Sequence, residues 1–170
     1  MSSQSTTEHR AAAPKQLRFA VLTVSDTRTF ENDRSGNSII DHMQVAGHEL
    51  LHRSIVPDEP NEIAGHVQAI VDVNDLDVLL ITGGTGISPR DQTLEAVGPL
   101  FEMQLPGFGE LFRMLSYEEI GPAAMLSRAA AGRIGRVLVF CMPGSTAAVN
   151  LAMQKLLVPE LPHLVHHSRG

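Results

Sequence analysis

The feature that most constrains the fold is an apolar run that ends abruptly in glycine. Leu76-Asp77-Val78-Leu79-Leu80-Ile81-Thr82 passes directly into Gly83-Gly84-Thr85-Gly86. A short run with so little polar alternation suits a strand covered on both faces. Leu17 to Val24 and Arg136 to Met142 read the same way, and Leu50 to Val56 reads as a further strand. Helical spacing appears between them. Ile39, Ile40 and Met43 predict a helix from Asn37 to Ala46, stopped by Gly47. Ile63, Val67, Ile70 and Val71 predict another from about Pro60 to Val73, and a third should run from about Thr146 to Leu157. Strands alternating with helices predict an α/β fold built on a mostly parallel, doubly wound sheet. In such sheets, ligands bind beyond the carboxyl ends of the strands.

Residues 1–16 are polar and alanine-rich, without periodicity, and read as a disordered tail before one domain over residues 17–165. Within that domain, Glu110 to Glu119 predicts a helix ended by Gly121-Pro122, whereas Met125 to Ala131 suits either helix or strand. Cys141, the one cysteine, sits in an apolar run and reads as a small buried hydrophobe. A net charge of −6 gives no electrostatic reason to approach nucleic acid or an anionic membrane. No apolar run approaches the roughly 20 residues that span a bilayer, and no signal peptide is visible, so the protein is expected in the cytoplasm.

Three glycines in four residues, Gly83, Gly84 and Gly86, let the backbone turn tightly and leave amide N–H groups free to face an anion. A plain turn would also use glycine. It would not need Thr85, Arg90, Asp91 and Thr93 crowded into the same loop. No Gly-Lys-Ser/Thr follows, which excludes the Walker loop, and the glycine spacing excludes the dinucleotide fingerprint. Two more loops follow the same logic: Ser25-Asp26 with Ser35-Gly36 after the first strand, and Pro143-Gly144-Ser145 after the last. Each can lead into a helix N-terminus that favours an anion. Ser35, Asp91 and Ser145 are equally suited to capping those helices. Asp58 and Asp91 both follow strands that a parallel sheet points the same way. Two carboxylates at a phosphate site call for a cation between them, and Mg²⁺ is the ion that takes carboxylate together with phosphate oxygens. The alternative is that both are turn residues.

His48-Glu49-Leu50-Leu51-His52 matches the zinc-protease pattern. The match works only on a helix, and this stretch reads as strand, where the histidines stand about 13 Å apart at roughly 3.3 Å per residue. His163, His166 and His167 read as solvated tail residues.

Taken together, Thr23-Val24-Ser25-Asp26-Thr27, Asp33-Arg34-Ser35-Gly36, Ile55-Val56-Pro57-Asp58, Thr82 to Gly86 with Arg90-Asp91-Gln92-Thr93, Ser127-Arg128-Ala129 and Met142-Pro143-Gly144-Ser145 resemble the MoaB/MogA family of molybdenum-cofactor biosynthesis proteins. The stretches Pro106 to Arg113 and Ser116 to Gly121 look like its MoaB branch. The resemblance implies a three-layer α/β/α sandwich, assembled as a homotrimer or a hexamer, with molybdopterin bound at the glycine-rich loop. It implies adenylyl transfer from ATP to molybdopterin with Mg²⁺, releasing pyrophosphate, and Asp58 and Asp91 match the two aspartates that this transfer needs. By resemblance, Ser127 and Arg128 lie near the pterin. A downstream molybdenum-insertion protein would be the partner for the product. A non-catalytic molybdopterin carrier would need the loops but not the aspartates, and a zinc hydrolase only His48 and His52.

Overall fold

In the computed structural model, which describes residues 13–73 and 75–169, six strands form one sheet. They are β1 (Arg18–Val24), β2 (Glu49–Val56), β3 (Val78–Thr82), β4 (Met103–Gln104), β5 (Ala130–Ile134) and β6 (Val137–Met142). The order across the sheet is β2-β1-β3-β6-β5-β4. The first four are mutually parallel, and β5 and β4 extend the edge in antiparallel pairing. Every residue of β3 and β6 is buried, as their uninterrupted apolar character requires. Most of the expected tail, up to residue 12, lies outside the described residues, and residues 13–16 carry no helix or strand.

Helices cover both faces. Alternate side chains of β1 point to opposite sides of the sheet. Phe19 and Val21 join Leu80, Phe140 and Met142 in a core with α1 (Arg34–Val45), α4 (Pro106–Ile120), α5 (Thr146–Ala152) and α6 (Val158–Ser168). Ala20 and Leu22 join Leu79, Ile81 and Cys141 in the other, with α2 (Pro60–Val71) and α3 (Thr93–Val97). The result is a three-layer α/β/α sandwich. Burial pushes the Cys141 thiol up to about 12, which makes it inert packing. Among the described residues, no helix is long and apolar enough to cross a membrane.

Three local readings change. Helix α1 starts at Arg34 rather than Asn37, because Asp33 caps it, its Oδ1 accepting the Gly36 N–H at 2.9 Å. The open stretch after α4 becomes a 3-10 turn over Gly121–Leu126 and then β5. Pairing with β6 overrides alanine's helical preference there, and Gly135 at φ +55° closes the hairpin. The C-terminal histidines do not sit in a tail. After one π-helical turn over Met153–Leu157 the chain runs on as α6, because Leu157, Leu161 and Val165 recur one turn apart and all enter the core. Pro159 and Pro162 hide that periodicity in the sequence. His163 lies on this helix, its Nδ1 3.1 Å from Glu160 Oε1.

Phe140 stands at the centre of the larger core, fully buried and edge-on to Phe108 with ring centroids 5.2 Å apart. Replacing it leaves a cavity that neither the sheet nor α4 can close. Phe140→Ala should lower unfolding free energy by about 3–5 kcal/mol. Urea unfolding checks this as a shifted midpoint with an unchanged slope.

Candidate active site

Because β1, β3 and β6 run parallel, the loops that leave them emerge at one end of the sheet. Gly83 leaves β3 with φ +101°, and a Cβ there would stand 2.2 Å from the Val24 carbonyl oxygen. Gly84 follows with φ +62°, and its Cβ would stand 2.3 Å from Thr93 Oγ1. Only glycine permits both the handedness and the approach. Hydrogen bonds then fix the loops to one another. The Gly83 N–H donates to Met142 O at 3.1 Å, Thr82 Oγ1 to Pro143 O at 2.9 Å, and Ser35 Oγ to Gly144 O at 2.7 Å.

Between them lies a cleft of about 510 Å³. Of the residues expected at a site, Ser25, Ser35, Gly83, Gly84, Thr85, Gly86, Asp91, Ser127, Pro143, Gly144 and Ser145 line it. The N–H groups of Gly84, Thr85, Gly86, Gly144 and Ser145 donate to no protein group among the described residues. Main-chain donors grouped in this way suit an anion. Ser145 also caps α5, its Oγ accepting the Ala148 N–H at 3.2 Å. Ser127 Oγ is buried in the cleft wall without a hydrogen-bond partner among the described residues.

Other expected residues support the loop from behind. Thr93 is fully buried, and its Oγ1 donates to Gly83 O at 2.8 Å. Gly36 is buried against the Asp33 carboxylate. Neither is among the residues that line the cleft, and both pack behind it. Ser35 and Asp91 likewise are not caps. Asp33 caps α1, and Asp91 Oδ2 accepts the Ser88 N–H at 2.8 Å within its own loop. Arg128 clamps the loop through its carbonyls, donating to Thr85 O at 3.3 Å and Asp91 O at 2.8 Å while its guanidinium pairs with Glu95.

Carboxylates gather at the edge of the cleft. Asp58 lies behind Gly84, each of its carboxylate oxygens 3.1 Å from where a Cβ on that glycine would be. Its Oδ1 accepts the Gln92 N–H at 3.3 Å, and its own N–H donates to Asp26 Oδ1 at 3.2 Å. Arg90 pairs with Asp26. Burial holds the Asp58 carboxyl above its ordinary range, and the charges of Asp91 and Asp26 add to the shift against the opposing Gln92 N–H and Arg90. Asp58 Oδ2 and Asp91 Oδ1 accept no hydrogen bond among the described residues. Among the described residues, no group of three or more His, Cys, Asp or Glu could hold a metal ion unaided.

Thr23 and Asp33, which the sequence offered only as parts of longer motifs, also line the cleft, as do Phe112 and Ser116, which it did not offer as site residues. Asp33 was legible as an acid three residues ahead of Gly36, the usual spacing of a cap. Phe112 and Ser116 come from α4, distant in sequence, and carry no local signal. The zinc-protease match falls where the strand reading put it. His48 precedes β2 and accepts the Leu17 N–H on Nδ1 at 3.2 Å, burial depresses its pKa, and His52 lies within β2 opposite Ala20.

The family model described as "Probable molybdopterin binding domain" matches residues 20–163. The chain is 52% identical over 161 residues to Molybdenum cofactor biosynthesis protein B of Bacillus cereus, covering 94% of this chain and 95% of that one. A crystal structure of a Molybdenum cofactor biosynthesis protein B superposes with a TM-score of 0.89 at 50% identity, covering 92% of this chain and 98% of the other. The tungsten cofactor synthesizing protein MoaB from Pyrococcus furiosus superposes with a TM-score of 0.83 at 39% identity, covering 93% and 100%. The cleft and its glycine-rich loop thus belong to a shared scaffold, and the chain is a member of the molybdopterin-binding domain family of molybdenum-cofactor biosynthesis, on its MoaB branch.

Proposed function

We propose that this protein binds molybdopterin in the cleft and transfers to it the adenylyl group of ATP. The observation that carries the reading is the pairing of a main-chain anion cradle with a cluster of acids at its edge. Free amides alone would suit any phosphate. Asp58, Asp91 and Asp26 beside them would repel one, unless a cation is part of the bound complex.

The phosphate oxygen of molybdopterin attacks the α-phosphorus of ATP, the bond from that phosphorus to the bridging oxygen breaks, and pyrophosphate leaves with the electron pair. A phosphate monoester is largely ionised at neutral pH, its second pKa being about 6, so no side chain has to remove a proton first. The chain's task is to align two anions and exclude their repulsion. Gly84, Thr85, Gly86, Gly144 and Ser145 offer N–H donors, and Ser127 Oγ is a hydroxyl whose missing partner a polar pterin group would supply. Asp58 and Asp91 would hold Mg²⁺, each having one carboxylate oxygen that accepts no hydrogen bond among the described residues. Bound there, the ion would offset the charge of the triphosphate and of the departing pyrophosphate. Arg90 and Arg128 keep the acids and the loop in register. The product then passes to a downstream molybdenum-insertion protein.

The exposed apolar side chains Leu111, Met114, Tyr117 and Ile120 follow one another along α4, with Met125 and Leu126 just beyond. A lone chain seldom leaves so large an apolar surface in water. It supports assembly with further copies as a trimer or hexamer, and sedimentation equilibrium should give three or six chains.

Purified protein given molybdopterin, ATP and Mg²⁺ should release pyrophosphate. Asp58→Asn and Asp91→Asn should each lower that rate at least about 100-fold while pterin affinity stays essentially unchanged. Turnover that survives either change sinks the mechanism. Tight pterin binding without release in the unaltered protein would leave a carrier that keeps the site and lacks the reaction.

Asp58 also makes a stability prediction. Its folded pKa lies above the ordinary 3.8, so between the two values the folded state holds a proton that the unfolded chain has released. The stabilisation is present below 3.8 and is lost as pH rises through the folded value. Asp58→Asn keeps an acceptor for the Gln92 N–H and removes the charge. Thermal melts should show the variant unfolding roughly 1–3 °C higher at pH 7.5, with the gain vanishing near pH 3.5.

A further inference from the structure

The chain reaches β5 through a short strap, Ser127-Arg128-Ala129, that passes along the wall of the cleft. Arg128 ties this strap to the glycine-rich loop with main chain and side chain together. Its N–H and its Nε both donate to Thr85 O, each at 3.3 Å, and its Nη2 donates to Asp91 O at 2.8 Å. A shift of the strap would therefore carry the loop's amides and Asp91 with it. Whatever fixes the far end of the strap is part of the geometry of the site.

That end is fixed from α4, where Arg113 Nη1 donates to Ala129 O at 3.2 Å. Arg113 is half-buried and forms no ion pair among the described residues. Glu110 stands at the three-residue spacing that favours an ion pair on a helix, yet the guanidinium turns to the carbonyl instead. Gly109, one turn earlier, makes the contact possible. A Cβ there would stand 2.4 Å from Ala129 O, and 3.0 and 3.1 Å from Arg113 Nη1 and Nη2. Helix and strap meet over a residue without a side chain, and the arginine folds back across it. Ala129 is buried, so loss of the guanidinium would strip its carbonyl of a donor where water does not readily replace it.

We propose that Arg113 is a positioning residue for the cleft: through the Ala129 carbonyl it sets the Ser127-Arg128 strap, and through Arg128 it sets the amides of Thr85 and Gly86 and the carboxylate of Asp91. Arg113 is not among the residues that line the cleft, so it acts only through these others. A bond from a charged donor is strong and directional enough for that task. Misplacing aligned groups by about 1 Å costs up to about 100-fold in rate, so a support at this remove from the chemistry has a measurable effect. The use of turnover as a readout rests on the adenylyl-transfer reading above. The placement of the strap does not.

Arg113→Met keeps the aliphatic stem and removes the donors. Without any ligand, amide hydrogen exchange followed by NMR should quicken about tenfold at Arg128 and Asp91, the effect of losing roughly one hydrogen bond of local stability. An arginine that only packs α4 would instead raise exchange along α4 and leave those two amides alone. In the pyrophosphate assay the variant's kcat should fall about tenfold with KM for ATP within about twofold of the original. Arg113→Lys, which returns one donor, should recover most of both losses. Gly109→Ala, whose methyl group displaces the same carbonyl, should reproduce them with the arginine in place. Unchanged exchange at Arg128 and Asp91, an unchanged kcat, or a lysine variant no better than the methionine one overturns the proposal. Should the unaltered protein release no pyrophosphate, the transfer reading fails while the exchange rates still decide the role of Arg113.

Discussion

The site depends on one close approach of backbone to backbone. Gly83 passes so near the Val24 carbonyl that no side chain fits, and with φ +101° it turns the chain away from β3 instead of letting it continue as strand. Its N–H is at the same time held by Met142 O, so the ends of β1, β3 and β6 meet at this residue. The packed sheet holds these ends in place, because burial of β3 and β6 leaves them no room to slide. Two cores on opposite faces therefore set the geometry of a loop that belongs to neither.

From that point the supporting interactions run outward. Thr93 and Arg128 grip the loop by its carbonyls, and using up those acceptors leaves the amides of Gly84, Thr85 and Gly86 facing the cleft. Asp33 does similar work on the other side, capping α1 with one oxygen while the other accepts from Thr23 Oγ1 at 2.8 Å and from Arg53. A buried carboxylate with those partners is fully satisfied and stiffens the region it joins. Arg53 extends this network to the Phe30 ring, its guanidinium carbon 5.1 Å from the centroid. By contrast, Asp58 is kept where burial and neighbouring charge both disfavour ionisation. Carboxyls perturbed in this way gather at functional sites.

Much of this was legible in the chain. The buried strands were plain because β3 and β6 have no alternation to confuse them, and the glycine-rich loop was plain because its hydroxyls and charges exceed what a turn uses. Boundaries blurred where a long-range partner decided the outcome. Alanines 129–131 give no local sign that β6 will recruit β5, and two prolines mask the apolar repeat that carries α6 to Ser168. The site was readable where it is made of consecutive residues and unreadable where α4 lends Phe112 and Ser116 across the fold. Thr93 shows the limit of reading by residue type. A threonine beside a phosphate-like loop suggests contact, and only burial reveals that it faces inward.

A group of peptide amides that suits an anion has a consequence for how such a protein can vary over time. Main-chain donors are present whatever side chain is attached, so substitutions drift through the loop's surroundings without erasing the ability to grip a charged group. What drift can readily alter is the border, where Arg28 and the acids are ordinary side chains open to exchange. The scaffold separates a durable element of recognition from a revisable one, and new specificities would be written at the margin of the cleft rather than at its centre.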